Sequence, residues 1–372
     1  MLPSPDDAPS AARLAGWFAA AIGLLIVYAC LHPFTGWRDP ALPLLGFLYT
    51  PIPTGRYLLW ADLVVNVLGT IPFSFALVPA LRHRLGPSGA PLLAILITFG
   101  LSMGVETLQN YLPSRVPSNL DVATNTLGGL LGALAGIRWG HALFAPGRGI
   151  SRWREQSIIP GHLGDVGLVL LLSWLLTQLT PDNLLFASGD LRQLLDLPTA
   201  LPFSPQRFMK VESAIVACQL VAVGLTIRAL QRHFSPWPIL LLPLLALGLR
   251  SLVDGAVFYP GDALHWATPG GQTGLALGGV LLAICLLLPR FTHGTLAGLA
   301  LLVGTALVNL APDNPFLPHN IPLPRQGNAL NFLGLTQLTA SLWPFLTFVY
   351  LGLLGNRMSS SKRVPFQRQS ST

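Results

Sequence analysis

The sequence predicts an all-α fold, a polytopic transmembrane helical bundle of about ten spans. Three observations carry that expectation. Charged residues make up 10% of the 372 and hydrophobic residues 52%, whereas a soluble domain covers its surface with about 25% charged residues. Apolar runs of about 20 residues recur along the chain, each long enough to cross a bilayer. The connectors between them (HPFTGWRDP, GPSGAP, APGRGIS, APDNPFLPHNIPLPRQG) are rich in the Pro and Gly that end helices.

The runs predict helices over residues 12–31, 58–80, 89–110, 121–143, 164–180, 210–230, 236–254, 272–289, 292–311 and 335–355. The first reads as a retained helix rather than a signal peptide. Its leader, MLPSPDDAPSAAR, has two Asp and one Arg, a poor positively charged region. Residues 40–52 are apolar but too short to cross alone, which suits a re-entrant or interfacial piece. Residues 184–201 (LLFASGDLRQLLDLPTAL) predict an amphipathic helix lying at the surface. Pro289 and Arg290 separate two apolar runs almost without a loop, so the span count depends on a break there. The chain divides into a four-helix domain over 1–150, a membrane domain of about six helices over 151–356 and a basic tail over 357–372.

The net charge of +7 reads as topology. Basic residues sit between apolar runs, where cytoplasmic loops collect Lys and Arg. No basic stripe carries interleaved aromatics on a polar face, which excludes nucleic acid as a partner. With the N-terminus inside, 14 of the 22 Lys and Arg fall in inside segments and 8 outside. That bias predicts a multi-pass protein of the cytoplasmic (inner) membrane with both termini in the cytoplasm. Cys30, Cys218 and Cys285 lie within apolar runs, so no disulfide framework is expected. The eight histidines form no HExxH and there is no CxxC, so a closed zinc site has no support.

Polar residues concentrate in three helices. Asp62, Asn66 and Gly69 lie in the second span, Ser102, Glu106 and Gln109 in the third, and Asp121, Asn125 and Gly128 in the fourth. Each triplet steps by four and then three residues, which puts it on one helical face. All three stripes fall at the predicted outer ends of their helices, and the connector YLPSRVPSNL adds Arg115 at the same level. Pro113 and Pro117 stiffen that turn, and Ser118 or Asn119 is placed to cap the fourth helix. A carboxylate at mid-bilayer costs about 2.5–3.5 kcal/mol, less near the interface. Two explanations fit. Either the set is a self-satisfied cluster that locks three helices together, with Arg115 paired to Asp121 or Glu106, or it is a ligand or reaction site. Gly128, Gly132 and Gly136 in TLGGLLGALAG repeat every four residues, the pattern of close helix packing. Arg250, Asp254, Asp262 and His265 gather at another outer connector, which reads as a solvated loop around a Gly-Asp turn.

The stretches NVLGTIPFSFAL, E-x-x-Q (Glu106, Gln109) and PSRVPSNLDVATNTLGG resemble the VanZ-like membrane proteins, over about residues 15–145. The ordered set Arg115, Ser118, Asp121, Asn125 and Gly128 carries most of that resemblance. One departure bears on helix packing: the family usually has a phenylalanine and a glycine flanking the proline near Pro72, and here Thr70 and Ser74 stand there. The resemblance implies a protein of the bacterial cell envelope, linked to glycopeptide-antibiotic resistance, and supplies no settled reaction. Residues from about 164 onward lie outside it.

Two readings of the polar set follow. In the first it acts on an envelope lipid or lipid-linked glycan. Arg115 would hold an anionic head group, Glu106 or Asp121 would serve as general base or acid, and Asp62, Asn66, Gln109, Ser118 and Asn125 would bind and orient the substrate. The carboxylates could also hold Mg²⁺ or another hard divalent cation. In the second the same residues belong to a solute or lipid transporter or binding protein that catalyses nothing. A structural helper of envelope assembly stands third. No nucleophile elbow or P-loop supports the enzyme reading.

Overall fold

The computed structural model describes residues 10–32, 34, 36–40, 42–51, 60–113, 115–144, 149–179, 183–192, 202–255, 259, 261–312 and 328–361. Side chains at 10, 11, 60–62, 141, 151, 328–335 and 358–361 lie outside the described set. The elements are α1 (Ser10–Leu31), a 3-10 turn (Gly46–Tyr49), α2 (Trp60–Gln109), α3 (Asn119–Ala135), a π turn (Gly136–Gly140), α4 (His141–Phe144), α5 (Gly149–Ser157) and α6 (His162–Thr177). They continue with α7 (Pro205–Leu230), α8 (Pro236–Val253), α9 (Pro269–Leu286), α10 (Arg290–Leu310) and α11 (Asn328–Ser361). No strand occurs among the described residues. Eight of these helices are long and apolar enough to cross a membrane. The protein is an all-α polytopic membrane protein.

The predicted second and third spans form one continuous element, α2, that is interrupted at Gly86 (φ 71°, ψ −174°). Glycine alone takes that left-handed φ without strain, and Pro87 then starts the second limb with a ready-made helical φ. In a straight helix Val78 and Ala94 would stand about 24 Å apart. They instead share a core with Ala133, so α2 is a hairpin of two antiparallel limbs. The fifth predicted span is a shorter apolar helix, α6, of 16 residues. The break at Pro289 is real: α9 ends at Leu286 and α10 begins at Arg290.

The chain forms two compact units, Met1–Val169 with Pro322–Leu335 and Leu170–Ile321 with Thr336–Thr372. In unit 1, α3 packs against both limbs of α2 along its glycine stripe. A Cβ on Gly128 would lie 2.1 Å from Thr70 Oγ1 and 2.3 Å from the Val67 carbonyl, and one on Gly132 would lie 2.3 Å from the Ile71 carbonyl. A Cβ on Gly129 would meet Thr98 of the second limb at 2.8 Å. Thr70 and Ser74, the two departures near Pro72, are thus the residues the stripe closes upon. Helix α1 covers the hairpin, with Ala19 packed on Phe73 and Ala76 and Leu31 on Val105 and Leu112. A buried ion pair joins α5 to α6: Arg154 Nε donates to Asp165 Oδ1 at 2.7 Å, with Arg13 Nε 3.6 Å from Asp165 Oδ2.

In unit 2, α7 is flanked by α9 and α10, and small residues again allow close approach. A Cβ on Gly274 or Gly278 would meet Ser213 or Ala217 backbone at 2.7–2.8 Å. Two expectations need correction here. Residues 184–191, predicted as the start of a surface amphipathic helix, are irregular, and Leu185, Phe186, Ala187 and Ser188 are buried. Phe186 and Gly189 take φ of 60° and 89°, which no helix accommodates. Non-helical backbone in a membrane protein must be satisfied by neighbours. Here Gly189 N–H donates to Ala340 O (2.7 Å), while Asn309 donates to Gly189 O (2.7 Å) and accepts from Leu191 N–H (3.0 Å). Residues 193–201 lie outside the described set. The second correction concerns Arg250 and Asp254, read as part of a solvated loop. They form a buried pair at 3.0 Å, and Arg250 also donates to the Asn183 carbonyl at 3.2 Å. Only Asp262 and His265 are solvated, at 3.1 Å from each other.

Candidate functional site

The hairpin fixes the site. The predicted stripes sit at the start of the first α2 limb, the end of the second and the start of α3, so the fold gathers them at one end of unit 1. Glu106 is 2% exposed and accepts a hydrogen bond from Ser118 N–H at 2.7 Å. Ser118 is the N-cap of α3, its Oγ accepting from Leu120 N–H at 3.1 Å. Asp121 lies in the first turn of the same helix. Two carboxylates therefore meet one helix N-terminus, where the helix dipole favours negative charge. Asp121 Oδ1 accepts from Asn66 Nδ2 at 2.9 Å, which ties α3 to the first limb. The charges of Asp121 and Arg115 both act on Glu106.

The remaining predicted residues are placed differently. Asn125 donates to Ser102 Oγ at 3.0 Å, and its carbonyl accepts from Thr70 Oγ1 at 3.0 Å. Asn125 thus clamps α3 to both limbs. Gln109 Nε2 donates to the Cys30 carbonyl at 3.0 Å. Arg115 donates through Nε to the His32 carbonyl at 3.1 Å, and through Nη2 to His32 O and, at 3.4 Å, to Ala29 O. These are carbonyls left open at the end of α1, and a cation there complements the helix dipole. Among the described residues Arg115 forms no ion pair with Glu106 or Asp121, so the pairing offered with the self-satisfied cluster is not found. Burial, and then the Arg115 charge, hold the His32 imidazole below its ordinary pKa. The side chain of Asp62 lies outside the described set.

Sequence reasoning missed Asn110 and read Asn119 only as a candidate cap; both fasten a loop to this end. Asn110 exchanges two hydrogen bonds with the Leu42 backbone, 2.8 and 3.0 Å, and Asn119 donates to the Thr50 carbonyl at 2.9 Å. Both contacts are to backbone, for which no side-chain pattern exists in the sequence. Phe47, in the 3-10 turn between them, is fully buried. In unit 2 a further buried carboxylate, Glu212, accepts from the hydroxyl of Thr268, the N-cap of α9, at 2.6 Å. Among the described residues no three of His, Cys, Asp or Glu gather as metal ligands.

Residues 15–140 match the family model VanZ/LLP1. This segment, which contains every element of the site, is similar to that family, and the helices after it lie outside the match. No curated protein and no solved structure matches the chain.

Proposed function

We propose that this VanZ-like membrane protein serves the bacterial cell envelope by engaging the polar head of an envelope lipid or lipid-linked glycan at the α2–α3 end of unit 1. One observation carries the reading: two carboxylates from different helices, Glu106 and Asp121, converge on one helix N-terminus. A carboxylate has about four acceptor positions, and Glu106 uses one of them on Ser118 among the described residues. Asp121 is half-buried and Glu106 buried, which suits an outer carboxylate that binds and an inner one that takes a proton. Hydroxyl or amine donors, as on a sugar or amine head group, match such acceptors. Arg115 serves the site indirectly, by holding the end of α1 beside the turn that carries Ser118. The Lys and Arg count supports an outward-facing site with both termini in the cytoplasm.

A second reading is a structural latch. It is favoured by the polar side chains already satisfied within the bundle, Asn125 on Ser102, Gln109 on Cys30 and Arg115 on His32. Glu106→Gln and Asp121→Asn separate the two in a glycopeptide-susceptibility assay run beside a thermal melt of the purified protein. A site loses its phenotype with melting unchanged. A latch loses both together, and variants that melt and act as wild type contradict both readings.

A further inference from the structure

We propose that an anionic phospholipid docks on unit 2, with an acyl chain in the groove between α10 and α11 and its phosphate on Arg290. The groove has a volume of about 550 Å³ and is lined by Arg290, Gly294, Gly298 and Leu302 of α10 and Phe348 and Gly352 of α11. Its volume lies within the range of about 300–1,000 Å³ that holds small ligands. The glycines make it: a Cβ on Gly294 or Gly352 would meet nothing within 4 Å. The walls are otherwise mostly apolar, with Thr295 and Asn356 as the polar exceptions, and Arg290 supplies the cation.

Arg290 is positioned there by the end of α7. Its Nη1 donates to the Arg232 carbonyl at 3.2 Å and its Nη2 to the Gln231 carbonyl. A guanidinium has five N–H donors in a planar fork, so donors remain for phosphate oxygens. Arg228 adds a second charge close enough to act on Arg290. Its guanidinium lies 5.4 Å from the centre of the Phe234 ring, and its Nη1 is buried without a hydrogen-bond partner among the described residues. The bonds to Gln231 and Arg232 bring the α7–α8 and α9–α10 turns to one end of the unit. No Asp or Glu occurs in residues 213–253, 263–312 or 328–361, which hold the described helices that meet here. A zwitterionic head group would bring its own cation to that surface, and an anionic one would not. Helix ends are also where lipid phosphates lie.

The test uses full-length protein in detergent, offered equal amounts of phosphatidylglycerol and phosphatidylcholine, with retained lipid counted by native mass spectrometry. One interfacial Arg contributes about 1 kcal/mol toward anionic lipid, close to fivefold. Wild type should therefore retain phosphatidylglycerol about fivefold over phosphatidylcholine. Arg290→Ala should lower the ratio several-fold toward one, with Arg228 still present. Gly294→Leu, which fills open space and raises helix propensity, should lower retention of both lipids and leave the fold intact, so it decides the matter if Arg290→Ala does not fold. Millimolar inorganic phosphate should displace neither. Equal retention by wild type, an unchanged ratio in Arg290→Ala, undiminished retention in Gly294→Leu, or displacement by free phosphate would each overturn the assignment.

Discussion

Replacing Gly132 with alanine should push α3 off α2 and destabilise unit 1. The new Cβ would stand 2.3 Å from the Ile71 carbonyl oxygen and 3.0 Å from Ser74 Cβ. Carbon and oxygen settle at about 3.3–3.6 Å, so the helices must part by roughly 1 Å. A helical carbonyl cannot rotate aside as a long side chain can. Overpacking of this kind costs about 1–3 kcal/mol. Parting also stretches the 3.0 Å Thr70–Asn125 hydrogen bond, a type of contact that contributes about 0.6 kcal/mol within a membrane. Against this, alanine gains up to about 1 kcal/mol of helix propensity over glycine. The net expectation is a loss of about 1–3 kcal/mol, or several degrees at roughly 2–4 °C per kcal/mol. The assay is thermal unfolding in mild detergent, with Gly104→Ala as control. Gly104 lies in the second limb of α2, where a Cβ would meet nothing within 4 Å, so that variant should melt at or above wild type. Equal melting of the Gly132 and Gly104 variants would refute the packing argument.

Three further outcomes are expected. Glu106→Gln keeps an acceptor for Ser118 N–H, so its stability should move by less than about 1 kcal/mol in the thermal melt; a larger loss shows that the charge itself holds α3. Arg115→Lys can reach only one of the Ala29 and His32 carbonyls at a time, so amide exchange at the end of α1 should quicken and stability fall by about 1 kcal/mol. Wild-type exchange there would show that the fork is dispensable. Burial, outweighing the Arg250 guanidinium, holds the Asp254 carboxyl above its ordinary pKa. The folded state therefore takes up this proton first. The group's contribution to stability is complete below the unfolded value of about 3.9 and is lost as pH rises through the raised folded value. Asp254→Asn should flatten that part of the stability profile, and a variant with the wild-type slope contradicts the assignment.

The helices were legible because apolar run length reports directly on membrane crossing, and the Gly128–Gly132–Gly136 stripe because close packing demands small residues at a helical repeat. The convergence of Asn66, Glu106 and Asp121 was legible for a related reason: short connectors make consecutive helices neighbours, so stripes at matching ends meet. The partners were harder to read. Arg115 and Gln109 bond to backbone carbonyls at and just past the end of α1, and every residue offers one, so no pattern marks the chosen three. Arg250 and Asp254 showed their four-residue spacing openly, but nothing local reveals that the Asn183 carbonyl reaches Arg250. The Arg154–Asp165 pair depends on the approach of α5 to α6, which apolar periodicity does not specify. The surface helix expected at 184–201 is absent over 184–191 because the backbone there is used differently: the Asp190 and Gly189 carbonyls accept from Ser341 and Asn309, and a helix would have withdrawn them.

The proposed site is tested most directly by a cryo-electron-microscopy map of the full-length protein in nanodiscs prepared with lipids of its own membrane. A head group within hydrogen-bonding distance of the Asp121 carboxylate, on the side that faces Glu106, is the expected result, with Arg115 still seated on the carbonyls at the end of α1. A map in which protein groups alone surround Glu106 and Asp121, with ordered lipid heads elsewhere, would contradict a head-group site and leave the latch.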